Sequence, residues 1–291
     1  MAGEPIGVTG ATGGVGGRVA ARLADHGVDQ RLLVRDEERA PTLPHAEVAV
    51  FGGYEDAEGM RRALAGVGTL FLVSAAEDPA RVLLHRTAVD AAVAAGVRRI
   101  VYTSFVGAAA DSTFTFARDH FHTEEHIKAS GAAYTFLRHN LYIDFVPLLC
   151  GPEGVIRGPA DDGRVAAVSR DDIAEVAAAV LTSDGHDGQT YEVTGIEAFT
   201  LTEAAAELSR VTGRHITFED ETIEQARESR RASGAPDYII EGWVTTYTAI
   251  AAGDLAAISD CVERFCDREP ERLGDWLRDN AEAYRHLLHT S

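Results

Sequence analysis

An α/β fold, a doubly wound parallel sheet with a smaller, mostly helical C-terminal lobe, follows from three features of this 291-residue sequence. A short apolar strand at Ile6 and Val8 runs into Gly10, Gly13 and Gly16, and then into a helical pattern at Val19, Ala20 and Leu23. Further strands alternate with helical stretches. Several strands are uninterrupted apolar runs such as Leu32-Leu33-Val34, the pattern of strands buried on both faces of a parallel sheet. Finally, Gly10–Gly16, Arg35, Ser74 and Thr103–Phe105 all fall at the carboxyl ends of strands, where such sheets bind ligands.

The first strand and its glycine turn carry the most specific signal. Gly10 lets the chain turn sharply, Gly13 lets the backbone approach a diphosphate, and Gly16 lets the new helix pack against the strand. The helix N-terminus then offers unpaired N–H groups to phosphates. The spacing is G-x-x-G-x-x-G, and its placement between strand and helix is the context of a dinucleotide site. The second strand, Gln30–Arg35, ends in Arg35-Asp36 about 20 residues beyond the glycines, where an acid grips the ribose of NAD or an arginine meets the 2′-phosphate of NADP. Arg35 and NADP are the preferred reading, because a basic group there offsets an acidic surface.

The remaining strands of this half are Glu47–Phe51, Thr69–Val73, Arg99–Thr103 and Tyr134–Arg138. Helices are expected at Asp56–Leu64, Val82–Gly96 and Ala117–Ser130, the last closed by Gly131. Small residues at Ser74-Ala75-Ala76 leave room for the middle of a cofactor over the sheet. From about Gly151 the texture changes. A Gly/Pro-rich loop is expected at 151–163 and a strand at Val165–Val168. Ser169-x-x-Asp172, Thr200-x-x-Glu203 and Thr222-x-x-Gln225 read as capping boxes opening three helices. Strands Thr190–Val193 and His215–Glu219, then helical stretches at 237–252 and 270–288, complete the chain. The expected division is a dinucleotide domain at 1–150 and a substrate or cap region at 151–291, partly interwoven with it.

Composition sets the bounds. Hydrophobic content of 45% and charged content of 25% are ordinary for a globular protein. The net charge of −19 repels nucleic acid and anionic membranes, so neither is an expected partner. Cys150, Cys261 and Cys266 are sparse and lack metal spacing, as free thiols in a reducing compartment would be. The first strand begins almost at Met1, so no signal peptide is expected, and no apolar run reaches membrane-spanning length. A cytoplasmic location follows as an expectation.

Hydride-transfer enzymes of this architecture usually carry a tyrosine and a lysine one helical turn apart, after the fifth strand. That helix holds no Tyr-x-x-x-Lys; it holds Phe114, Phe116, His120, His122, Glu124, His126 and Lys128. His120 and Glu124 share a helix face at i, i+4. A carboxylate there would raise the histidine pKa and fit His120 as a proton donor; a polar residue positioning substrate, or simply solvated, is the open alternative. His122 and His126 share a face too, but no third ligand is evident and no metal is expected. Phe105 and Tyr142 line a nicotinamide pocket or are ordinary core aromatics.

Thr9–Gly17, Leu33-Val34-Arg35-Asp36, Tyr102-Thr103-Ser104 and the run Asp119-His120 through Tyr134–Arg138 to Asn140-x-Tyr142 resemble the NmrA-like atypical short-chain dehydrogenases. The branch they resemble most is that of the NAD(P)H:quinone oxidoreductases and triphenylmethane-dye reductases. The resemblance implies a Rossmann domain with a small C-terminal domain, NADP(H) in preference to NAD(H), and reduction of a small conjugated acceptor without a Tyr-Lys pair. It implies that Gly10, Thr12, Gly13, Gly14, Val15, Gly16 and Arg35 hold the adenine-side phosphates. Ser74, Thr103 and Ser104 would flank the ribose and nicotinamide; Phe105, His120 and Tyr142 would face the substrate. Gly53, where relatives often have an aspartate, and His139 depart from the pattern. A non-catalytic NADP-sensing regulator that binds a protein partner is the alternative in the same family, and a homodimer is left open. Sugar-nucleotide epimerisation needs the absent tyrosine.

Overall fold

The computed structural model describes residues 4–288. Its first half alternates β1 (Ile6–Thr9), α1 (Gly14–Asp25), β2 (Gln30–Val34), β3 (Ala46–Val50), α2 (Ala57–Ala63), β4 (Thr69–Leu72), α3 (Arg81–Ala94), β5 (Arg99–Phe105), α4 (Thr115–Ala129) and β6 (Ala133–His139). The second half runs β7 (Val155–Gly158), β8 (Arg164–Val165), α5 (Arg170–Thr182), β9 (Gln189–Val193), β10 (Phe199–Thr200), α6 (Leu201–Thr212) and β11 (Thr217–Asp220). It ends with α7 (Ile223–Arg231), α8 (Asp237–Ala251), α9 (Cys261–Cys266), α10 (Leu273–Asp279) and α11 (Arg285–Leu288).

Seven strands form one sheet in the order β3-β2-β1-β4-β5-β6-β9, and every pairing is parallel. The chain winds outward from β1 to β3, then returns to lay β4 on the other side of β1. The crevice at that reversal, above the carboxyl ends of β1 and β4, is where such sheets bind ligands. Both faces are covered. Val19 and Leu23 of α1, Ile173 and Val176 of α5 and Val262 of α9 pack on one side. Met60 of α2, Val89 of α3 and Ile127 of α4 pack on the other. The doubly wound sheet expected from the apolar runs is therefore what forms.

Strand β9 and helices α5 and α9 come from the second region yet complete the sheet layers. The lobe proper is built on α6, α8 and α10, whose Leu208, Ile250 and Trp276 share an apolar core with Phe105, Phe114 and Phe116. Helix α8 presses onto α4: a Cβ at Gly242 would stand 2.1 Å from the Phe116 ring. Thr115 and Thr245 hydroxyls meet at 3.1 Å across the same junction.

Several local expectations are corrected. The 151–163 stretch contains β7, which pairs in parallel with β11 from Val155↔Thr217 onward; pairing with a partner some sixty residues away leaves no local signal. The strand expected at Val165–Val168 is only Arg164–Val165, because Ala166 N–H is drawn off by the Leu255 carbonyl at 2.8 Å. The Ser169 box is half a box. Ser169 accepts the Asp172 N–H, but the Asp172 carboxylate turns to Arg268 at 2.7 Å and to the Glu271 N–H at 3.0 Å. The Thr200 and Thr222 boxes are complete. The 270–288 helix breaks at Asn280, which leaves helical geometry while its Nδ2 donates to the Trp276 carbonyl.

Candidate active site

The glycine turn has the geometry a phosphate site needs. Gly10 sits at φ +63°, the left-handed region in which only glycine is unstrained. Its carbonyl accepts the Gly13 N–H at 2.8 Å. A Cβ at Gly16 would lie 2.4 Å from the Gly10 oxygen, so α1 can touch β1 only without a side chain there. Thr12, Gly13 and Gly14 are exposed while Val15 and Gly16 are buried. The Val15 side chain is therefore packed inside, and only its backbone is left to face outward. The N-cap, Gly13, has no side chain to cap with, and the first turn of α1 holds no acid. Its amides remain available to an anion.

Below the turn, Thr9 ties β1 to β4. Its hydroxyl accepts the Val73 N–H at 2.8 Å and donates to the Phe71 carbonyl at 3.2 Å. Tyr54 Oη stands 2.7 Å from that hydroxyl. Neither residue stands out in the sequence, because both contacts join residues far apart along the chain. At the end of β2 the side-by-side Arg35 and Asp36 are separated by their surroundings. Asp36 is committed as an N-cap, accepting the Glu38 N–H at 3.1 Å. Arg35 is exposed, and its charge is felt by Tyr54.

Ser74, Thr103 and Ser104 meet at the ends of β4 and β5, but not as equals. Ser74 N–H donates to Thr103 Oγ1 at 2.8 Å. Thr103 and Ser104 are fully buried, and the Ser104 hydroxyl donates to Glu124 Oε1 at 2.6 Å. Ser74 is the member of this group that keeps open access. Thr103 and Ser104, adjacent on β5, point to opposite faces of the sheet, and both faces are covered, so both hydroxyls are spent on partners inside the protein.

His120 does not have the surroundings that its spacing suggests. It is buried and belongs to a closed network. Arg81 Nη2 donates to its Nε2 at 3.3 Å, and Tyr102 Oη lies 3.0 Å from its Nδ1. An arginine can only donate, so Nε2 is the acceptor and Nδ1 carries the proton. His85 Nδ1 lies 3.4 Å from Tyr102 Oη and 2.8 Å from Thr123 Oγ1, and its Nε2 accepts the Ala75 N–H at 2.8 Å. Glu124, expected beside His120, is instead held in a fork by Arg138 at 2.8 and 2.6 Å. Burial first, and then the Arg81 charge, hold the His120 imidazole well below its ordinary pKa, the reverse of a proton donor raised by a carboxylate. Among the described residues Arg81 Nε has no hydrogen-bond partner, and Asp119 Oδ2 stands 4.0 Å from Nη1.

Phe105 is buried, 4.8 Å from the Phe114 ring centre. Tyr142 lines a cleft of about 920 Å³ together with Phe114, Phe116, Phe145, Trp243 and Tyr247. These rings come from α4 and its N-cap Phe114, the 142–149 turn and α8, so only folding assembles the wall. Tyr142 Oη lies 3.1 Å from His139 Nε2, and burial pushes its pKa up to about 12. Burial lowers His139 to about 4. These two groups are thus neutral near pH 7, while Glu77, Glu153, Arg157 and Arg230 place charges elsewhere on the lining. His126 pairs with Asp90 at 2.7 Å, away from His122. No group of three or more His, Cys, Asp or Glu able to hold a metal occurs among the described residues, and no helix among them is long and apolar enough to cross a membrane.

Comparison with known proteins agrees with this geometry. The profile of the NAD(P)H-binding family matches residues 10–184. The (4-alkanoyl-5-oxo-2,5-dihydrofuran-3-yl)methyl phosphate reductase of Streptomyces griseus is 36% identical over 95% of this chain and 98% of its own. The NADPH-dependent quinone oxidoreductase of Escherichia coli, solved with NADPH, superposes with a TM-score of 0.86 at 31% identity, over 94% of this chain and 99% of its own. The triphenylmethane reductase of Citrobacter sp., solved with NADP(H), gives 0.83 at 32% over 94% and 99%. With a glycine turn built for a diphosphate and an aromatic cleft beside it, this chain belongs to the NAD(P)H-binding family and is an NAD(P)H-dependent oxidoreductase.

Proposed function

We propose that the protein reduces a quinone or a similar conjugated acceptor at the expense of NADPH. The observation that carries this is the aromatic-lined cleft at the carboxyl end of the sheet, whose rings of Phe114, Phe116, Tyr142, Phe145, Trp243 and Tyr247 suit a flat conjugated acceptor. A nicotinamide cofactor supplies a hydride when bound. The chain's part is to bind and orient. The α1 amides and Gly14 would hold the diphosphate, Arg35 the 2′-phosphate, and Tyr142 and Phe145 a flat acceptor. An electron-poor conjugated ring accommodates the added electrons itself, so alignment and exclusion of water supply much of the catalysis. The relatives act on a quinone, an oxo-dihydrofuran phosphate and a triphenylmethane dye, all conjugated acceptors.

The test is consumption of NADPH by purified protein against a panel of quinones, unsaturated lactones and dyes. Turnover with at least one quinone is expected; no turnover with any member ends the reading. The regulator alternative uses the same cofactor site, and this assay separates the two. Arg35→Ala is expected to raise the Kd for NADPH by about 10- to 100-fold, the ~1.5–3 kcal/mol of a hydrogen bond to a charged group. NADH, lacking the 2′-phosphate, should shift by no more than about two-fold. Equal losses for both cofactors, measured by calorimetry, would remove Arg35 from the role.

A further inference from the structure

Arg170, the first residue of α5, reaches back across the molecule to the glycine turn. A Cβ at Gly14 would meet its Cδ at 3.0 Å, its Nε at 3.1 Å and its Cζ at 3.4 Å. The same guanidinium carbon lies 4.6 Å from the ring centres of both Tyr142 and Phe145, two rings of the acceptor cleft. Its anchor is Asp144. The Arg170 N–H donates to Oδ2 at 3.2 Å, and Nη1 donates to Oδ1 at 3.3 Å. The side chain is thus held by one long bond and two ring faces. Among the described residues no hydrogen bond engages its Nε or Nη2, although a guanidinium has five N–H donors.

We propose that Arg170 is a positioning residue that grips the diphosphate of the bound dinucleotide and, through its seat on Tyr142 and Phe145, couples occupancy of the glycine turn to acceptor binding. The proposal rests on dinucleotide binding at this turn and on the cleft as acceptor site. A diphosphate on the α1 amides lies within reach of a side chain already packed on Gly14. A fork of charge-assisted bonds to phosphate outweighs the single long ion pair, 3.3 Å, to the Asp144 carboxylate. Drawing the guanidinium toward phosphate changes what lies over the two rings, so the cofactor sets the wall the acceptor meets. Coupling of this kind is reciprocal: the factor by which NADP⁺ tightens the acceptor equals the factor by which the acceptor tightens NADP⁺.

The experiment is calorimetry with NADP⁺, menadione as a quinone that NADP⁺ cannot reduce, and adenosine 2′-monophosphate as a fragment without the diphosphate. Wild type is expected to bind menadione at least about 5-fold more tightly with NADP⁺ present. Arg170→Ala should weaken NADP⁺ by about 10- to 100-fold, leave adenosine 2′-monophosphate within about two-fold, and abolish the coupling. Arg170→Lys, which keeps charge but not the fork, should fall between. A mere anchor for Asp144 would alter thermal stability without touching the coupling. Should Arg170→Ala also lose the fragment, Arg170→Gln, which keeps most of the side-chain length, is judged by the same criteria. NADP⁺ affinity unchanged in the variant, or coupling equal to that of wild type, overturns the proposal. Normal coupling in wild type without turnover of any acceptor would instead count against the reductase reading alone.

Discussion

Gly16→Ala is expected to abolish detectable dinucleotide binding, a loss of more than about 100-fold, with a fall in stability of roughly 1–3 kcal/mol or more. The added methyl would sit 2.4 Å from the Gly10 oxygen and 2.6 Å from the Gly10 carbon and the Thr9 oxygen. These are backbone atoms, so no side-chain rotation relieves the clash. Either α1 slides away from β1 or the turn reshapes, and both displace the amides that would face phosphate. The strain also reaches β4, because the Thr9 hydroxyl holds the Val73 N–H. Gly13→Ala provides the contrast. Its Cβ would stand 3.2 Å from the Gly10 oxygen and project from an exposed position, so binding should suffer while the melting temperature stays near that of wild type. Calorimetry with NADP⁺ and thermal denaturation of both variants check this; wild-type affinity in Gly16→Ala would refute it.

Acidification from pH 7 to 5 is expected to remove about 4 kcal/mol of stability through two histidines alone. Burial lowers His139 to about 4 and, with help from the Arg81 charge, His85 to about 3. The unfolded chain titrates near the ordinary value of about 6.5. The folded pKa values are the lower ones, so between about pH 6.5 and those values the unfolded state binds protons that the native state refuses. Stability is complete above about pH 6.5 and declines as pH falls, by about 2 kcal/mol per histidine at pH 5. Against a total of roughly 5–15 kcal/mol for a typical protein this is a large share. Urea midpoints at pH 7 and pH 5 measure it. His139→Gln should remove about half of the pH dependence, even where the variant is less stable at neutral pH. A pH-independent midpoint over that range would show that these rings are not held neutral.

Much of the fold was legible because its causes are local. Leu32-Leu33-Val34 is apolar throughout because both sheet faces are covered, and that burial needs no partner to be read. The Thr200 and Thr222 boxes close within four residues, and both form. The Ser169 box failed where its acid found a distant competitor in Arg268. Strand β7 was missed because its partner is β11, and the 1–150 region lacks the strand and helices that complete its sheet. The site divides in the same way. Gly10 and Gly16 are required by the turn itself, and Arg35 stands at a fixed interval from it. His120 has the residue type and spacing of a proton donor, but Arg81 and Tyr102 arrive from other elements and consume both ring nitrogens.

The sequence by itself determined the parallel sheet, the phosphate turn and the basic residue at the end of the second strand. Each depends on backbone geometry and on neighbours a few residues away. Only the tertiary structure decided which polar side chains are spent inside and which remain open. It turned Thr103, Ser104 and His120 inward, laid Arg170 against Gly14, and gathered Phe116, Tyr142 and Trp243 into one wall. The reason is physical: a buried hydrogen bond satisfies whichever donor and acceptor the fold brings together, and that pairing is set by packing across the chain rather than by spacing along it.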